Sequence, residues 1–419
     1  MRIFVGAALA ALMVPGASLA GEAGDRLAAL LYAGEAGAER ALFDRGCAEG
    51  EHDACFGLGL VDLIGTVEGL SQAFYRHGAV APDNPAAALL LGFDADLPAG
   101  PANPNPEKLT YAGFRDILEA FVAGLDQARG SFEQAGAAGD YVLTIDPLRV
   151  RFDIDGDGNV GAGETLAGFL KDALALDLPQ QKSKGDKAVP LDTTIGFDRA
   201  DALWFSGYSQ ISAAPVDFIL AHDFSEFFAG VMHRVFPKAG LPMGEFSRGG
   251  TLLMDATSDA FIADAIVAIH TADFPVTDGE RLKGVLARLK AITGFSRQNW
   301  DAILAETDDN RELVPSPAQT SLVPGQPVTE EIVAAWMATL DSVDAILAGE
   351  LLLPHWRFRQ GFDLSAYFET AEETDLVMLL AGPGALPFLA DGKVADADSF
   401  AMGNRVFGDN WLNFALWFN

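Results

Sequence analysis

At the centre of this sequence stands the stretch Asp153-Ile154-Asp155-Gly156-Asp157-Gly158-Asn159-Val160-Gly161-Ala162-Gly163-Glu164. Aspartates occupy its first, third and fifth positions, an asparagine its seventh and a glutamate its twelfth. Carboxylate and carbonyl oxygens are the ligands that hard cations such as calcium take in proteins. Gly158 occupies the sixth position, where a loop of this kind turns sharply into a conformation that a side chain resists. Residue type and spacing together therefore predict a cation site.

The pattern resembles the loop of an EF-hand, in which positions 1, 3, 5, 7 and 12 supply metal ligands and position 9 often acts through water. Gly161 at position 9 offers no carboxylate, so a water is expected there. A lanthanide could bind the same oxygens, and the sequence leaves that choice open, whereas magnesium has few all-protein cages. The resemblance implies one calcium ion with these ligands: Asp153, Asp155, Asp157, Asn159 and Glu164.

Two flanking segments bear on what such a loop can do. On its outgoing side, apolar residues of 166–174 recur with helical spacing and predict a helix. On its incoming side, Asp146 and Pro147 permit only a short helix, capped by the aspartate and with the proline in its first turn. The acids clustered at Asp273–Glu280 and Asp391–Asp398 do not repeat the pattern. A solitary loop with a short incoming helix favours a structural clamp over a sensor, which must open a helix pair.

The first twenty residues have the composition of a secretory signal peptide. A basic residue precedes an apolar run, Pro15-Gly16 breaks that run, and the small residues Ser18 and Ala20 predict cleavage after Ala20. An uncleaved N-terminal membrane anchor is the alternative, because residues 3–20 are nearly all apolar or small. No later stretch stays apolar and uncharged for ~18 residues, so no further membrane span is expected. These features predict a periplasmic or secreted protein.

The chain is strongly acidic, with 59 Asp and Glu against 28 Lys and Arg, a net charge of −31. Loss of residues 1–20 would remove Arg2 and change that charge to −32. Nucleic acid is excluded as an expected partner, because phosphate binding draws on clustered Lys and Arg. A solubilising surface explains the charge most simply, and a dedicated cationic partner is the alternative.

The sequence contains two cysteines, Cys47 and Cys55. In an exported chain such a pair predicts one disulfide. Because the enclosed loop is short, the bridge should stabilise the fold by only ~2–3 kcal/mol. Residues 35–65 around it resemble one unit of the cysteine-rich, tetratricopeptide-like repeats of the Sel-like type. That resemblance implies a disulfide-clamped helical hairpin and a protein-binding surface, but a single unit does not support an extended solenoid.

Helical periodicity dominates the remainder and predicts an all-α fold. Four prolines between residues 93 and 107 predict a loop. The polar segment 178–196 predicts a linker between an N-terminal helical part at 21–177 and a C-terminal helical part at 197–419. Helices are predicted at 25–48, 53–77, 111–135, 197–214, 215–236, 251–271, 277–293 (opened by a capping box at Thr277), 296–306, from 329, at 371–381 and at 399–418.

A second group of polar residues follows Pro215. On a continuous helix over 215–236, His222, Glu226 and His233 would share one face, and Asp223 would lie beside them. The two histidines would be ~16 Å apart along the axis, too far to share one ion. His222 with Glu226 could still join a metal or acid/base site completed from elsewhere.

Two hypotheses of function follow. The first is an exported, non-catalytic calcium-binding protein that recognises another protein or a component of the cell envelope. The second is a hydrolase or metalloenzyme that uses His222, Asp223 and Glu226, with calcium in a purely structural role. The position of those three side chains discriminates between the hypotheses.

Overall fold

The computed structural model describes residues 19–80, 103–161, 163–168, 192–322 and 326–418. Residues 1–18 of the predicted signal peptide lie outside this part of the chain. So do most of the proline-rich segment, residues 169–174 of the predicted outgoing helix and residues 178–191 of the predicted linker. Signal-peptide cleavage therefore stays a prediction.

The described residues form helices, with strands confined to short two-stranded antiparallel pairs, which confirms the all-α fold. The strands pair as β1 with β2, β3 with β5 and β4 with β6. The helices are α1 (Leu19–Ala33), α2 (Arg40–Ala48), α3 (His52–Arg76), α4 (Tyr111–Ala137), α5 (Arg199–Leu220), α6 (Ser225–Val231), α7 (Pro242–Glu245), α8 (Ala256–His270), α9 (Gly279–Ala305), α10 (Glu330–Leu347), α11 (Leu364–Thr370), α12 (Leu376–Ala381), α13 (Ala401–Phe407) and α14 (Trp411–Phe418). The strands are β1 (Leu143–Ile145), β2 (Ile195–Phe197), β3 (Asp273–Pro275), β4 (Gly361–Phe362), β5 (Glu373–Asp375) and β6 (Leu389–Ala390).

Capping side chains set several helix starts. The hydroxyls of Thr110 and Thr329 accept backbone N–H groups in the first turns of α4 and α10, which confirms both predicted starts. The predicted capping box at Thr277 is wrong, because the carboxylate of Asp278 caps α9 instead. From there α9 runs unbroken to Ala305 and joins two helices that were predicted separately.

Helices α3, α4 and α5 meet in an aromatic cluster. The rings of Phe132 on α4 and Phe205 on α5 stack with centroids 5.0 Å apart, and Phe56 on α3 meets them edge-on at 5.6 and 5.9 Å. A Cβ atom at Gly59 would lie 2.7 Å from the Phe132 ring, so the glycine permits α3 to approach α4 closely. Burying each of these rings contributes ~1.5–3 kcal/mol, which makes their contact a main source of stability.

A half-buried ion network joins α4, α5 and α9. Arg288 of α9 donates hydrogen bonds to Asp126 of α4 at 2.7 Å and to Asp217 of α5 at 2.6 Å. Arg281 lies 3.1 Å from Asp217 and also pairs with Glu119 of α4 at 2.5 Å. Asp217 is almost fully buried, so its two guanidinium partners compensate for the water that it loses. The network fixes the mutual register of the three helices that it joins.

The predicted boundary between helices 197–214 and 215–236 is wrong. Helix α5 continues through Pro215 and ends at Leu220. A proline inside a helix loses one hydrogen bond and disturbs the preceding turn. Here the residues on both sides of Pro215 are buried against neighbouring helices, and Asp217 holds the last turns through its arginine partners. Tertiary packing therefore outweighs the local preference of the sequence.

The chain leaves the helix after α5 because its backbone pairs with the segment that follows α8. His222 forms an isolated antiparallel bridge with Val276. The N–H of Asp223 donates to the carbonyl of Pro275 at 2.9 Å. Helix α6 starts only at Ser225, so the long helix on which a shared polar face was predicted does not exist.

Residues on both sides of the predicted linker build the same cores. Strand β2 pairs with β1 in the register Leu143 with Phe197. Phe197 also packs against Phe56 in one buried cluster, and Phe114 of α4 joins Phe236 in another. The parts predicted at 21–177 and 197–419 thus pack together in the described chain, and the linker itself stays a prediction.

The predicted disulfide is confirmed, and it joins Cys47 in the last turn of α2 to Cys55 in the first turn of α3. Helix α3 is long and apolar enough to span a membrane by length and composition. More than half of its apolar window is buried inside the protein, as in the core helix of a globular fold. We therefore interpret α3 as a core helix that the disulfide ties to α2.

Phe132→Ala should lower the free energy of unfolding by ~3–5 kcal/mol, because it opens a cavity where α3, α4 and α5 meet. Phe246→Ala is the matched control, since that ring is 79% exposed. Its effect should stay within ~0.5 kcal/mol. Urea denaturation followed by circular dichroism measures both, and equal losses would contradict the assigned core.

Replacing Cys47 and Cys55 together by alanine should cost ~2–3 kcal/mol, the loop-closure entropy of a short ring. The double variant should keep its helical circular dichroism spectrum. Loss of the folded state in this variant would show that the bridge has more than a local role.

Candidate metal centre

The acidic loop is closed at its base by backbone hydrogen bonds. Before it lies a single 3₁₀ turn, Pro147–Arg149, whose cap is Asp146 as predicted. The N–H of Phe152 donates to the carbonyl of Glu164 at 2.9 Å, and the N–H of Leu166 donates to Val150 at the same distance. These bonds bring the first and last residues of the loop side by side.

Three of the predicted ligands converge. Single carboxylate oxygens of Asp153, Asp155 and Glu164 all lie within 4.8 Å of one another. Calcium holds oxygens at 2.3–2.6 Å, so two ligands on opposite sides of one ion are at most about 5 Å apart. The measured spread fits that limit. The donor set, all carboxylate oxygen, also fits calcium or a lanthanide better than a softer metal.

Glycines permit the turn that orients these carboxylates. Gly156 and Gly158 have φ of 76° and 75°, in the left-handed region that other residues resist. Their N–H groups donate to the two carboxylate oxygens of Asp153, at 2.7 and 3.2 Å. The loop thereby holds the side chain of its first residue inward. Gly158 performs the role that its position in the sequence predicts.

Asp157 and Asn159 lie outside this group of three. The carboxylate of Asp157 accepts the N–H of Asn159 at 2.6 Å. Gly161, at the predicted water position, donates its N–H to Glu164 at 2.5 Å. The structure therefore brings together three of the five predicted ligands, and it leaves Asp157 and Asn159 close by in the same loop.

Helix α3 anchors the start of the loop. Glu68 accepts the N–H of Asp153 at 2.9 Å, and the Gln72 amide donates to the carbonyl of Asp153 at 2.8 Å. Burial raises the pKa of Glu68, the hydrogen bond from Asp153 opposes that rise, and the charge of Asp153 adds to it. Both backbone polar groups of the first ligand residue are thus fixed by one helix.

The end of α1 covers the other side of the loop. In paired EF-hands the residue at position 8 lies against a second loop, and here that residue is Val160. A Cβ atom at Gly34 would lie 2.5 Å from the Val160 side chain, so the two segments touch. Arg151 connects them further, because its N–H donates to Leu31 at 3.1 Å and its guanidinium to the Val160 carbonyl at 3.2 Å. The loop therefore bridges α1 and α3.

The rival site at His222 does not assemble. His222 is 2% exposed, and its ring nitrogens lie 2.6 Å from the Phe218 carbonyl and 2.7 Å from the Thr374 hydroxyl. Burial lowers the pKa of His222, which favours the neutral ring. The carboxylate of Asp223 accepts the N–H of Ser225 at 2.9 Å, and Glu226 is exposed on the short helix α6.

His233 contacts a different residue, because its Nε2 lies 3.2 Å from the carboxylate of Asp264. With both nitrogens of His222 already hydrogen-bonded, that ring is not open to a metal or a substrate. The described residues thus do not bring His222, Asp223 and Glu226 into one polar pocket.

A second acidic group was missed by sequence reasoning. Carboxylate oxygens of Asp198, Glu306 and Glu312 lie within 4.8 Å of one another. Asp198 caps α5, Glu306 follows the last turn of α9, and Glu312 belongs to the loop after it. By distance and donor type this group could also hold a cation. Hydrogen bonds within the protein already occupy part of it, including one from the Asn310 N–H to Glu312 at 2.8 Å.

Burial changes the protonation of this second group. It raises the pKa of Glu306 to about 8, with a further contribution from the charge of Asp198. It raises the pKa of Glu312 to about 7, and it raises the pKa of Asp198 as well. Asp201, fully enclosed beside Asp198, is shifted in the same direction by burial and by its neighbour's charge. Burial therefore favours the protonated forms of these carboxyl groups near neutral pH.

The sequence offers only a weak signal for this second group. Residues 306–312 read Glu-Thr-Asp-Asp-Asn-Arg-Glu, an acidic run that resembles many solvated loops. Asp198 is remote from that run along the chain, and no spacing rule relates the two. The packing of α5 against α9 creates the group.

Comparison of this chain with protein-family models, with curated proteins and with solved structures returns no match.

The second acidic group should make the fold less stable as pH rises. A carboxyl whose pKa is raised on folding contributes its full stability below its unfolded pKa, near 4.5, and loses it as pH passes the folded value. For Glu306 and Glu312 that loss falls between pH 4.5 and about 8. Urea denaturation in chelator at pH 5.5 and 8.5 should show a smaller decline for Glu306→Gln than for the wild type.

The matched control is Glu350→Gln, at an exposed position outside the second acidic group. It should follow the wild-type pH dependence. An identical decline in the wild type and in Glu306→Gln would contradict the proton-sharing interpretation.

Proposed function

We propose that this chain is an exported, non-catalytic calcium-binding protein in which one calcium ion braces α1 against α3. The observation that carries the proposal is the convergence of Asp153, Asp155 and Glu164 on one point in a loop that both helices hold. The geometry favours a structural ion, because the backbone at the first ligand is fixed by α3 and the incoming helix is one turn long.

A bound ion would supply positive charge where three carboxylates repel one another. Two like charges 4 Å apart cost about 1 kcal/mol in water and about 4 kcal/mol near a protein surface. Asp153, Asp155 and Glu164 would hold the ion, and Asp157 and Asn159 are the further donors that the EF-hand resemblance implies. Calcium binding would therefore replace the repulsion among the three carboxylates by their attraction to the ion.

Two features that indicate export support this role. The disulfide between Cys47 and Cys55 belongs to an oxidising compartment, and the first twenty residues have signal-peptide composition. Extracellular calcium modules commonly bind at ~10⁻⁴–10⁻³ M, a range that suits a site without a switching function. At ten times the dissociation constant, binding would stabilise the fold by about 1.4 kcal/mol.

The negative net charge of the chain limits the kinds of partner that it can bind. A chain with a net charge of −31 is unsuited to nucleic acid, so we propose a protein or an envelope component as the binding partner. The helical hairpin clamped by the disulfide, with its resemblance to a Sel-like unit, supports a role in protein recognition. The burial of His222 and the exposure of Glu226 remove the support for catalysis at that position.

Glu164→Gln should abolish most of the stabilisation by calcium. In the wild type, millimolar calcium should raise the melting temperature by roughly 1–2 °C over a chelated sample. In the variant most of this rise should disappear, because the last ligand has lost its charge. Calorimetry in calcium and in chelator measures the difference within each protein, and so separates ion binding from any general effect of the substitution.

The control is Glu350→Gln, which makes the same chemical change at an exposed site outside the loop. It should keep the calcium-dependent rise. A wild-type melting temperature that is indifferent to calcium, or an undiminished rise in Glu164→Gln, would refute calcium bracing at this loop.

A further inference from the structure

Helix α8 exposes apolar residues and buries a charged one, the reverse of an ordinary surface helix. Its aliphatic residues Ile262, Ile266 and Ile269 are 43%, 52% and 55% exposed, whereas Asp264 is 7% exposed. Surface helices of globular proteins place apolar residues toward the core and charged residues toward water. The described residues of the monomer therefore offer no packing partner for the isoleucine stripe.

Polar contacts explain how the other face of α8 docks. Asp264 pairs with Arg234, and it also lies 3.2 Å from the ring of His233. Val267 packs over α6, where a Cβ atom at Gly230 would lie 2.5 Å from it. The helix is thus held to the body by a buried carboxylate, and the described part of the chain leaves its most apolar face uncovered.

The segment before α8 extends this free face. Leu252 and Leu253 are 84% and 82% exposed, and Met254 is 59% exposed. Their backbone N–H groups all donate to the carboxylate of Asp259, at 2.6 to 3.1 Å. At 100° per residue, Asp259 lies only about 60° from Ile262 around the helix. The leucine segment is therefore ordered alongside the isoleucine stripe.

We define the α8 surface as six side chains: Leu252, Leu253, Met254, Ile262, Ile266 and Ile269. Their exposed fractions amount to nearly four complete side chains. At ~100 Å² of apolar area each, this is about 375 Å². One side of a standard stable interface covers about 800 Å², of which roughly 60% is apolar. The α8 surface alone supplies most of that apolar share.

We propose that the α8 surface binds a second copy of this chain, with α8 packed antiparallel to its counterpart across a two-fold axis. The isoleucines recur at i, i+4 and i+7, the spacing of a helix-pairing seam. With the two-fold axis between Ile262 and Ile266, Ile262 of each copy would lie against Ile266 of the other. It would also bring Ile269 of each copy to the leucine segment of the other.

Charge and area favour a second copy over a lipid surface. Asp255 and Asp259 mark the N-terminal end of the exposed α8 face, and His270 marks its C-terminal end. Antiparallel pairing therefore keeps the aspartates of the two copies apart. No Lys or Arg lies within α8, and the chain carries a net charge of −31, which opposes adsorption to an anionic bilayer. This inference is independent of the calcium loop, which lies on α1 and α3.

Sedimentation velocity and light scattering on the mature protein, from 1 to 100 µM, test the proposal. The wild type should show twice the monomer mass at the upper concentrations. Ile266→Asp should halve that mass and keep the helical circular dichroism spectrum, because the residue is exposed in the monomer. Leu304→Asp is the matched control, at a leucine that is also 52% exposed but lies on α9, and it should remain dimeric.

A cysteine placed near the axis gives a second readout. Both native cysteines are in the disulfide, so Ala263→Cys introduces a free thiol on the exposed face of α8. Mild oxidation should convert it to a covalent dimer in high yield, and Leu304→Cys should not cross-link.

Three results would overturn the proposal. They are a wild type that remains monomeric at 100 µM, a dimer that persists in Ile266→Asp, and a monomer that floats with phosphatidylcholine vesicles. The last result would assign the α8 surface to a membrane instead.

Discussion

The close packing of α3, α4 and α5 around Phe56, Phe132 and Phe205 is the contact on which the other features depend. It sets the position of α3, and α3 in turn holds both backbone polar groups of Asp153 through Glu68 and Gln72. The same packing brings α5 beside α9, where a half-buried arginine and a buried aspartate hold the helices together. The acidic loop is thus attached to a helical core that other contacts hold together, so the proposed ion would brace the loop without creating the fold.

A solitary EF-hand-like loop lacks the second loop that would normally cover its eighth residue. In this protein the turn after α1 contacts Val160 through Gly34, a position where a side chain would collide. The loop is consequently held on two sides by helices of the core. Such an arrangement leaves little freedom for the opening movement of a calcium sensor. It favours the proposed role, in which a bound ion would add stability.

The sequence predicted the features that local chemistry controls. The disulfide, the cap at Asp146 and the glycine turn at Gly158 each follow from one residue and its immediate neighbours, and the structure contains all three. Features that depend on tertiary packing were not predictable in this way. Packing of the buried neighbours keeps α5 helical through Pro215. Backbone pairing with the segment after α8 places His222 outside any helix. The second acidic group and the exposed isoleucines of α8 likewise arise only when distant helices pack.

Hydrogen exchange measured by mass spectrometry, in calcium and in chelator, tests the bracing role most directly. We expect calcium to slow exchange in residues 146–168, and also in the segments that hold the loop, 31–35 at the end of α1 and 66–76 of α3. Exchange in α9 and α10 should not change. Equal exchange with and without calcium at 146–168, or slowing spread evenly over the whole chain, would contradict a local calcium brace.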